Sequence, residues 1–282
     1  MPELNETKTG YGALICLVIS LVFGTTALNA EEQEAFFFKS LEPYKPIYLL
    51  NSWFLNGEGK EQDYDERELL IQFSFKKQFY KALYFGFTYK AFWQIYDVNH
   101  SRSFRDQNYN PEAFLEFTDL WEMDVFRLGL AEHESNGEKQ YYDENGEVIN
   151  HSRTWDRSYL YVWENFGEYF GLGLKVWVVT SARSEETQAF YHDNADMQYY
   201  MGSGEIYASI GSYPTVLTFM WRKGWKDGTE TTKIEARIPI YHIIDMEDTG
   251  HDIYVQYFSG YGDSLIDYNR KITKIALGVS FR

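Results

Sequence analysis

Alternation of apolar and polar residues is the feature that most limits the folds open to this chain. It is clearest in three segments, ELLIQFSFK at 68–76, YFGLGLKVWVV at 169–179 and ITKIALGVSFR at 272–282. Because successive side chains of a β-strand point to opposite faces, each segment has one apolar face and one face of polar or small residues. Helix-length periodic segments are absent from the sequence, so we expect an all-β fold.

The alternating pattern recurs in twelve runs along the chain. They lie near residues 46–55, 66–77, 82–97, 111–118, 122–134, 152–164, 168–180, 199–210, 214–224, 230–240, 251–262 and 269–281. Short connections follow runs two, four, six and eight, whereas longer polar segments follow most odd-numbered runs. An even number of strands, with short turns at one rim and long loops at the other, is typical of outer-membrane barrels. We therefore predict a transmembrane antiparallel β-barrel of about twelve strands.

Alternation alone does not say which face of the sheet lies inside. A secreted β-sandwich or a soluble ligand-binding barrel would turn its apolar face inward. Here small and charged residues lie opposite the apolar ones, and aromatic residues lie near the strand ends. This arrangement favours apolar faces that point to lipid.

The composition narrows the class of partner. Aromatic residues make up 19% of the 282 residues, which suits strands. The formal net charge of −16 argues against a protein that binds nucleic acid, because such a protein needs a basic surface.

The N-terminal segment is typical of an export signal. Its apolar core, residues 13–24, is too short for a usual membrane helix, and small residues follow it up to Ala30. We therefore predict a cleaved signal peptide at 1–30 and a barrel domain at 31–282, with an uncleaved anchor as the alternative. The only cysteine, Cys16, lies in the apolar core, so the mature chain would have no disulfide.

Two polar residues stand at a predicted strand end in LAEHESNGEKQ, residues 130–140. His133 and Ser135 are two positions apart and share a strand face, either as an ordinary polar strand end or as a base beside a nucleophile. The predicted hairpin partner opens with Ser152 and Asp156 at the same rim, and an acid there could orient the base.

The direction in which this pair points depends on the regularity of its strand. Leu128 and Leu130 have the parity opposite to that of His133 and Ser135, so strict alternation would turn the pair toward the barrel interior. A β-bulge near Ala131 would turn it outward. The sequence leaves both arrangements open.

Five motifs carry a resemblance to a known family. They are SFRDQNYNPEAF, HESNG, SRTWDR, DNADMQYYMG and SGYGDSLIDYN, and with them the chain resembles the outer membrane phospholipase A family over residues 46–281. The resemblance implies a twelve-stranded outer-membrane barrel, active as a calcium-dependent homodimer. It also implies hydrolysis of phospholipid acyl esters at either glycerol position, by residues on the outer wall near the outer leaflet.

The matching motifs assign roles to individual residues. The resemblance implies that Ser135 is the nucleophile and His133 the base. The third member in the family is an asparagine, and Asp156 stands at that position here. A carboxylate can also orient an imidazole and stabilise its cation, so the departure is compatible with the same chemistry.

The resemblance also implies a calcium site that, with the Ser135 N–H, supports the oxyanion. Its ligands would be the Ser152 hydroxyl, the Glu138 carbonyl and, from the partner subunit, Ser101, with Asp193 as a further loop acid. Hydroxyl and carbonyl oxygens suit calcium. The loop after HESNG is longer than in the family, and Asp143 is a candidate second acid.

Other functions and sites remain to be weighed against this interpretation. The rival class is a non-enzymatic outer-membrane pore in which His133 and Ser135 are merely rim residues. A zinc protease is excluded because HES lacks the H-E-x-x-H spacing. The segment YDENG could bind calcium, but a polar hairpin turn is favoured.

Overall fold

A computed structural model describes residues 41–56, 65–99, 101–121, 123–138, 140–142, 145–180 and 194–282. The predicted signal peptide, Asp143 and Asp193 lie outside the described residues. The unit from Glu42 to Arg282 contains the barrel. Among the described residues, no helix combines the length and the apolar character that a membrane crossing requires.

Strands dominate the described part of the chain, as predicted. They are β1 (Leu41–Pro43), β2 (Ile47–Phe54), β3 (Arg67–Tyr80), β4 (Leu83–Trp93), β5 (Phe104–Phe117), β6 (Val125–Ser135), β7 (Gln140–Tyr142), β8 (Val148–Asn150), β9 (Thr154–Phe166), β10 (Phe170–Val179), β11 (Gly204–Ile210), β12 (Val216–Lys223), β13 (Glu230–Pro239), β14 (His251–Gly260) and β15 (Ile272–Phe281). A short helix, α1, covers Met197–Met201, and a 3-10 turn covers Ile240–His242.

Twelve of these strands close into an antiparallel barrel, which confirms the predicted fold. The order around the barrel is β2, β3, β4, β5, β6, β9 and then β10 to β15, and β15 returns to β2. The closing register places Phe281 opposite Ile47. Strands β7 and β8 form a separate hairpin in the loop between β6 and β9, as the interpretation of YDENG as a turn requires.

Two predicted strand boundaries are wrong for identifiable reasons. Strand β5 begins at Phe104 rather than near 111, because its first half carries polar residues that face the interior and hide the apolar alternation. Strand β11 begins at Gly204 rather than near 199, because Met197–Met201 forms α1 instead.

The strand connections define two rims. The long-loop rim carries the connections that follow β2, β4, β6, β10, β12 and β14. Their described residues are 55–56, 65–66, 94–99, 101–103, 136–138, 140–142, 145–153, 180, 194–203, 224–229 and 261–271. The described residues of the short-turn rim are 81–82, 118–121, 123–124, 167–169, 211–215 and 240–250. The predicted short connections after runs two, four, six and eight therefore lie on one rim, together with the longer connection 240–250 that follows run ten.

The apolar faces of the strands point away from the barrel interior. In β10, Leu172, Leu174 and Val178 are 53%, 42% and 64% exposed. Their neighbours Gly171 and Gly173 are buried and leave room for an aromatic ring of β9 inside. This outward apolar wall has the polarity of a barrel that faces lipid.

Charged residues and a folded-in loop fill the interior at the long-loop rim. Arg105 of β5 pairs with Glu68 of β3 at 2.9 Å and with Asp267, which belongs to the buried loop 261–271. The same loop supplies Tyr268, whose hydroxyl donates to Asp196. Burial, together with that carboxylate, raises the pKa of Tyr268 above its ordinary value.

Apolar residues complete the filling at this end. Leu265 and Tyr268 pack with Met197 and Met201 of α1, and this cluster also contains Trp155 of β9. A cavity of about 380 Å³ lies in the interior, lined in part by residues of β6, β12 and β13 near the short-turn rim. Filling at the long-loop rim opposes the interpretation of the barrel as an open pore.

Candidate active site

A β-bulge in β6 turns the predicted catalytic pair outward. Leu130 and Ala131 together face one residue of β9, because the register jumps there. Leu128 and Leu130 lie on the exposed face before the bulge, whereas Glu132 is buried and His133 is exposed after it. The bulge near Ala131 that an outward-facing pair requires is therefore present.

The register between β6 and β9 brings the predicted base and acid together. His133 lies directly opposite Asp156, and Ser135 lies opposite Thr154. Beyond that pair, the Asn136 N–H donates to the carbonyl of Arg153, the residue before β9, at 3.1 Å, so these two residues form a hydrogen-bonded pair. Since paired residues alternate between hydrogen-bonded and non-hydrogen-bonded positions, His133 and Asp156 occupy a non-hydrogen-bonded pair, in which side chains lie closer.

The three side chains form one continuous hydrogen-bond chain. His133 Nδ1 lies 2.6 Å from Asp156 Oδ1, and His133 Nε2 lies 3.1 Å from Ser135 Oγ. With Nδ1 protonated toward the carboxylate, Nε2 is the acceptor for the serine hydroxyl. The side chains of His133 and Asp156 are 49% and 30% exposed, so the chain lies on the outer wall. A hydroxyl, an imidazole and a carboxylate in this order can activate a serine as a nucleophile.

A buried asparagine organises the loop that follows the serine. Asn136 is 3% exposed, and its side-chain amide donates to the His151 carbonyl at 2.8 Å. Its side-chain oxygen accepts the N–H groups of Arg153 at 2.9 Å and Glu138 at 3.3 Å. Asn136 therefore fixes residues on both sides of Ser152.

Two of the predicted calcium ligands lie in segments that the Asn136 side chain holds. Ser152 lies between two residues bound by Asn136, and Glu138 is held by the same side chain. A serine hydroxyl and a peptide carbonyl are hard oxygen donors, so this donor set fits calcium. Among the described residues, no three His, Cys, Asp or Glu side chains cluster as metal ligands.

The remaining predicted ligands lie elsewhere. Ser101 is exposed in the 94–103 loop at the same rim, with a backbone φ of 59°. Strand β5 separates this loop from β6, so Ser101 belongs to a different part of the wall. Asp193 lies outside the described residues, and its place in a site stays a prediction.

Three residues behind the site are not among those predicted. Glu134, Trp155 and Arg157 lie on the inner face of the same two strands and contact one another there. The signal for them is present in the sequence, because they alternate with His133, Ser135 and Asp156. Asn136 is also missed, although it directly follows the predicted nucleophile.

Comparisons with known proteins point to a single family. The family model described as Phospholipase A1 matches residues 25–281. The phospholipase A1 of Klebsiella pneumoniae is 28% identical over 254 residues, which cover 85% of this chain and 81% of that protein. The phospholipase A1 of Escherichia coli K12 is 29% identical over 195 residues, which cover 69% of this chain and 60% of that protein.

Solved structures are similar over most of the barrel. Outer membrane phospholipase A from Escherichia coli matches with a TM-score of 0.71 and 25% identity, covering 86% of this chain and 98% of that chain. The Salmonella typhi outer membrane phospholipase, a dimer with bound calcium, matches with a TM-score of 0.69 and 25% identity. That match covers 86% of this chain and 92% of the Salmonella chain.

Proposed function

The chain belongs to the phospholipase A1 family, and we propose that this outer-membrane phospholipase cleaves acyl esters of glycerophospholipids through Ser135, His133 and Asp156. One observation carries the proposal. The hydrogen-bond chain from serine to imidazole to carboxylate lies on the outward face of β6 and β9. On that face, the exposed Leu128 and Leu130 continue the apolar wall up to the site.

The geometry supports a two-step acyl transfer. Ser135 Oγ attacks the ester carbonyl carbon while His133 Nε2 takes the hydroxyl proton, and Asp156 stabilises the resulting imidazolium. When the ester C–O bond breaks, His133 returns that proton to the departing lysophospholipid oxygen. Water, deprotonated by His133, then attacks the acyl carbon. The bond from that carbon to Ser135 Oγ breaks, His133 returns the proton to Oγ, and the fatty acid leaves.

The position of the site indicates how the substrate arrives. The triad lies on the outer wall, whereas the cavity of about 380 Å³ lies inside the barrel. A phospholipid would therefore approach sideways within the membrane, with its acyl chains along the apolar wall. A serine on an open wall imposes no deep pocket on the glycerol, which supports cleavage at either acyl position.

We further propose that calcium binds beside Ser135 and that a second copy of the chain completes the site. Ser152 and the Glu138 carbonyl would be ligands from one copy, and Ser101 would come from the other, with Asp193 as a supporting acid. When bound, calcium stabilises the negative charge that develops on the ester oxygen. The related Salmonella typhi enzyme, a dimer with bound calcium, supports this arrangement.

Lipid hydrolysis by the purified protein, with and without a calcium chelator, tests the proposal. We expect fatty-acid release that chelation abolishes and added calcium restores. Cross-linking over the same calcium titration should show dimers appearing together with activity. Full activity from a chelated monomer would contradict the calcium proposal, and bilayer conductance without any hydrolysis would favour a pore.

A further inference from the structure

The inner face of β6 and β9 carries an ionic and aromatic cluster directly behind the triad. We call Glu134, Trp155 and Arg157 the inner anchor. Glu134 is the residue between His133 and Ser135 in the chain, and Trp155 and Arg157 flank Asp156 in the same way. The inner anchor and the triad therefore alternate along the same two strands.

The Glu134 carboxylate is the centre of the inner anchor. Its Oε2 accepts the Trp155 indole N–H at 2.9 Å and an Arg157 Nη2 proton at 2.8 Å. The Arg157 guanidinium stacks 3.8 Å above the Trp155 ring centroid. These contacts join β6 to β9 through side chains, in addition to the backbone hydrogen bonds between the strands.

A second carboxylate extends the cluster on the other side of His133. Glu132 is 2% exposed and lies 3.0 Å from Arg157 Nη2. Lys175 of β10 donates to the same carboxylate at 3.0 Å. Arg157 thus bridges the two acids that flank His133, and does so from inside the barrel.

The bulge in β6 determines which face of the strand carries the acids of this cluster. A strand register that slips by one residue exchanges the two faces of the strand. If β6 lost its bulge, Glu132 and Glu134 would face lipid, and His133 and Ser135 would face the interior. Charged residues on the lipid face of a barrel are costly, so acids bound inside oppose that slip.

We propose that Glu134 is a positioning residue, which holds Ser135 and His133 in register with Asp156 through Trp155 and Arg157. This inference rests on the proposed function of the triad. Since a displacement of about 1 Å at a catalytic centre can lower the rate roughly 100-fold, a loosened anchor should reduce kcat much more than KM.

The mildest test compares two neighbouring tryptophans. Trp155→Phe removes the N–H bound to Glu134 but keeps an aromatic ring in place. Trp177→Phe is the matched control, because Trp177 packs edge-on against Trp155 at 6.1 Å and its buried N–H has no hydrogen-bond partner within the described structure. We expect kcat to fall about fivefold in Trp155→Phe with KM unchanged, and Trp177→Phe to stay within twofold of wild type.

A stronger test removes the carboxylate itself. Glu134→Leu should lower kcat roughly 100-fold, and Glu134→Gln, which keeps an acceptor for the indole, should recover most of that loss. The control is Glu235→Leu, which breaks an ion pair with Lys233, 3.1 Å long, on β13, away from β6 and β9. Each variant is first shown to be folded by its change in gel mobility on boiling.

The outcomes separate this inference from the proposed function. If Ser135→Ala abolishes hydrolysis but folded Glu134→Leu turns over like wild type, the positioning role is wrong and the nucleophile stands. Equal losses in Trp155→Phe and Trp177→Phe would also overturn the positioning role, even if Glu134→Leu fails to fold. If Ser135→Ala remains active, the proposed triad is wrong.

Discussion

Strand β10 and the end of β6 show two ways to build the outer wall of one barrel. Strand β10 alternates without interruption, and its outward residues Leu172, Leu174 and Val178 are all apolar. Strand β6 begins in the same way, and then its bulge brings His133 and Ser135 to the same outer face. The regular strand presents only apolar side chains on its outer face. The strand that carries the proposed triad changes register and has an ionic cluster behind it on the inner face.

The largest expected difference between the two regions concerns the nucleophile. Ser135→Ala should reduce hydrolysis by a factor of at least about 1,000, and adding His133→Ala should reduce it little further, because triad members act as a unit. The measurement is fatty-acid release from mixed micelles.

Ser158→Ala provides a matched control on the same wall. The Ser158 hydroxyl donates to the Leu130 carbonyl at 3.0 Å and does not belong to the proposed triad. This variant should lose no more than about fivefold in rate. A Ser135→Ala enzyme as active as Ser158→Ala would refute the nucleophile assignment.

The next largest effect is expected at Asp156. Asp156→Ala leaves the imidazole without its 2.6 Å partner and should lower kcat by roughly 100-fold or more. Asp156→Asn retains a side-chain oxygen that can accept the Nδ1 proton, and we expect it to keep a substantial part of the rate. Equal and small losses in the two variants would place the third triad member elsewhere.

A smaller effect, visible mainly in the calcium dependence, is expected at Ser152. Ser152→Ala removes one proposed hydroxyl ligand, so the calcium concentration for half-maximal activity should rise roughly tenfold. Calcium binding measured by titration calorimetry should weaken in parallel, and saturating calcium should restore most of the rate. An unchanged calcium dependence in both measurements would remove Ser152 from the site.

The smallest effect on catalysis is expected on the regular wall. Leu174→Ser places a hydroxyl on the outward face of β10, and hydrolysis should stay within about twofold of wild type. The free energy of unfolding in lipid should fall by about 1 kcal/mol, since a polar group replaces an apolar one in the membrane. A loss of activity comparable to Asp156→Ala would show that β10 also shapes the site.

The barrel itself could be predicted from sequence because every strand has to present an apolar face to its surroundings. Strand β5 was recognised only in its second half, since Arg105, Asp106 and Asn108 meet partners in the interior that the sequence does not display. Asp106 and Asn108 also bind each other within β5, but the other cited partners of these three residues lie far away in the chain, in β3 and in the 261–271 loop.

The residues of the candidate site could be predicted from the sequence, but the direction in which they point could not. His133, Ser135 and Asp156 are found from their motifs and strand ends, but their outward direction depends on which residues β6 faces in β5 and β9. Such a register shift is a property of paired strands, and the sequence of one strand alone does not show it. Alternation alone places the residues of the inner anchor on the face opposite to the triad, but the ion pairs among them depend on register and so could not be predicted from one strand.

The loop 261–271 that fills the barrel end has a consequence for the cell envelope. A membrane barrel with an open bore would let small solutes cross in proportion to its copy number. In this protein, the loop that buries Leu265 and Tyr268 occupies the interior at the long-loop rim, so we expect it to resist the passage of small solutes. We therefore expect that more copies in the membrane would add little leakage of small solutes.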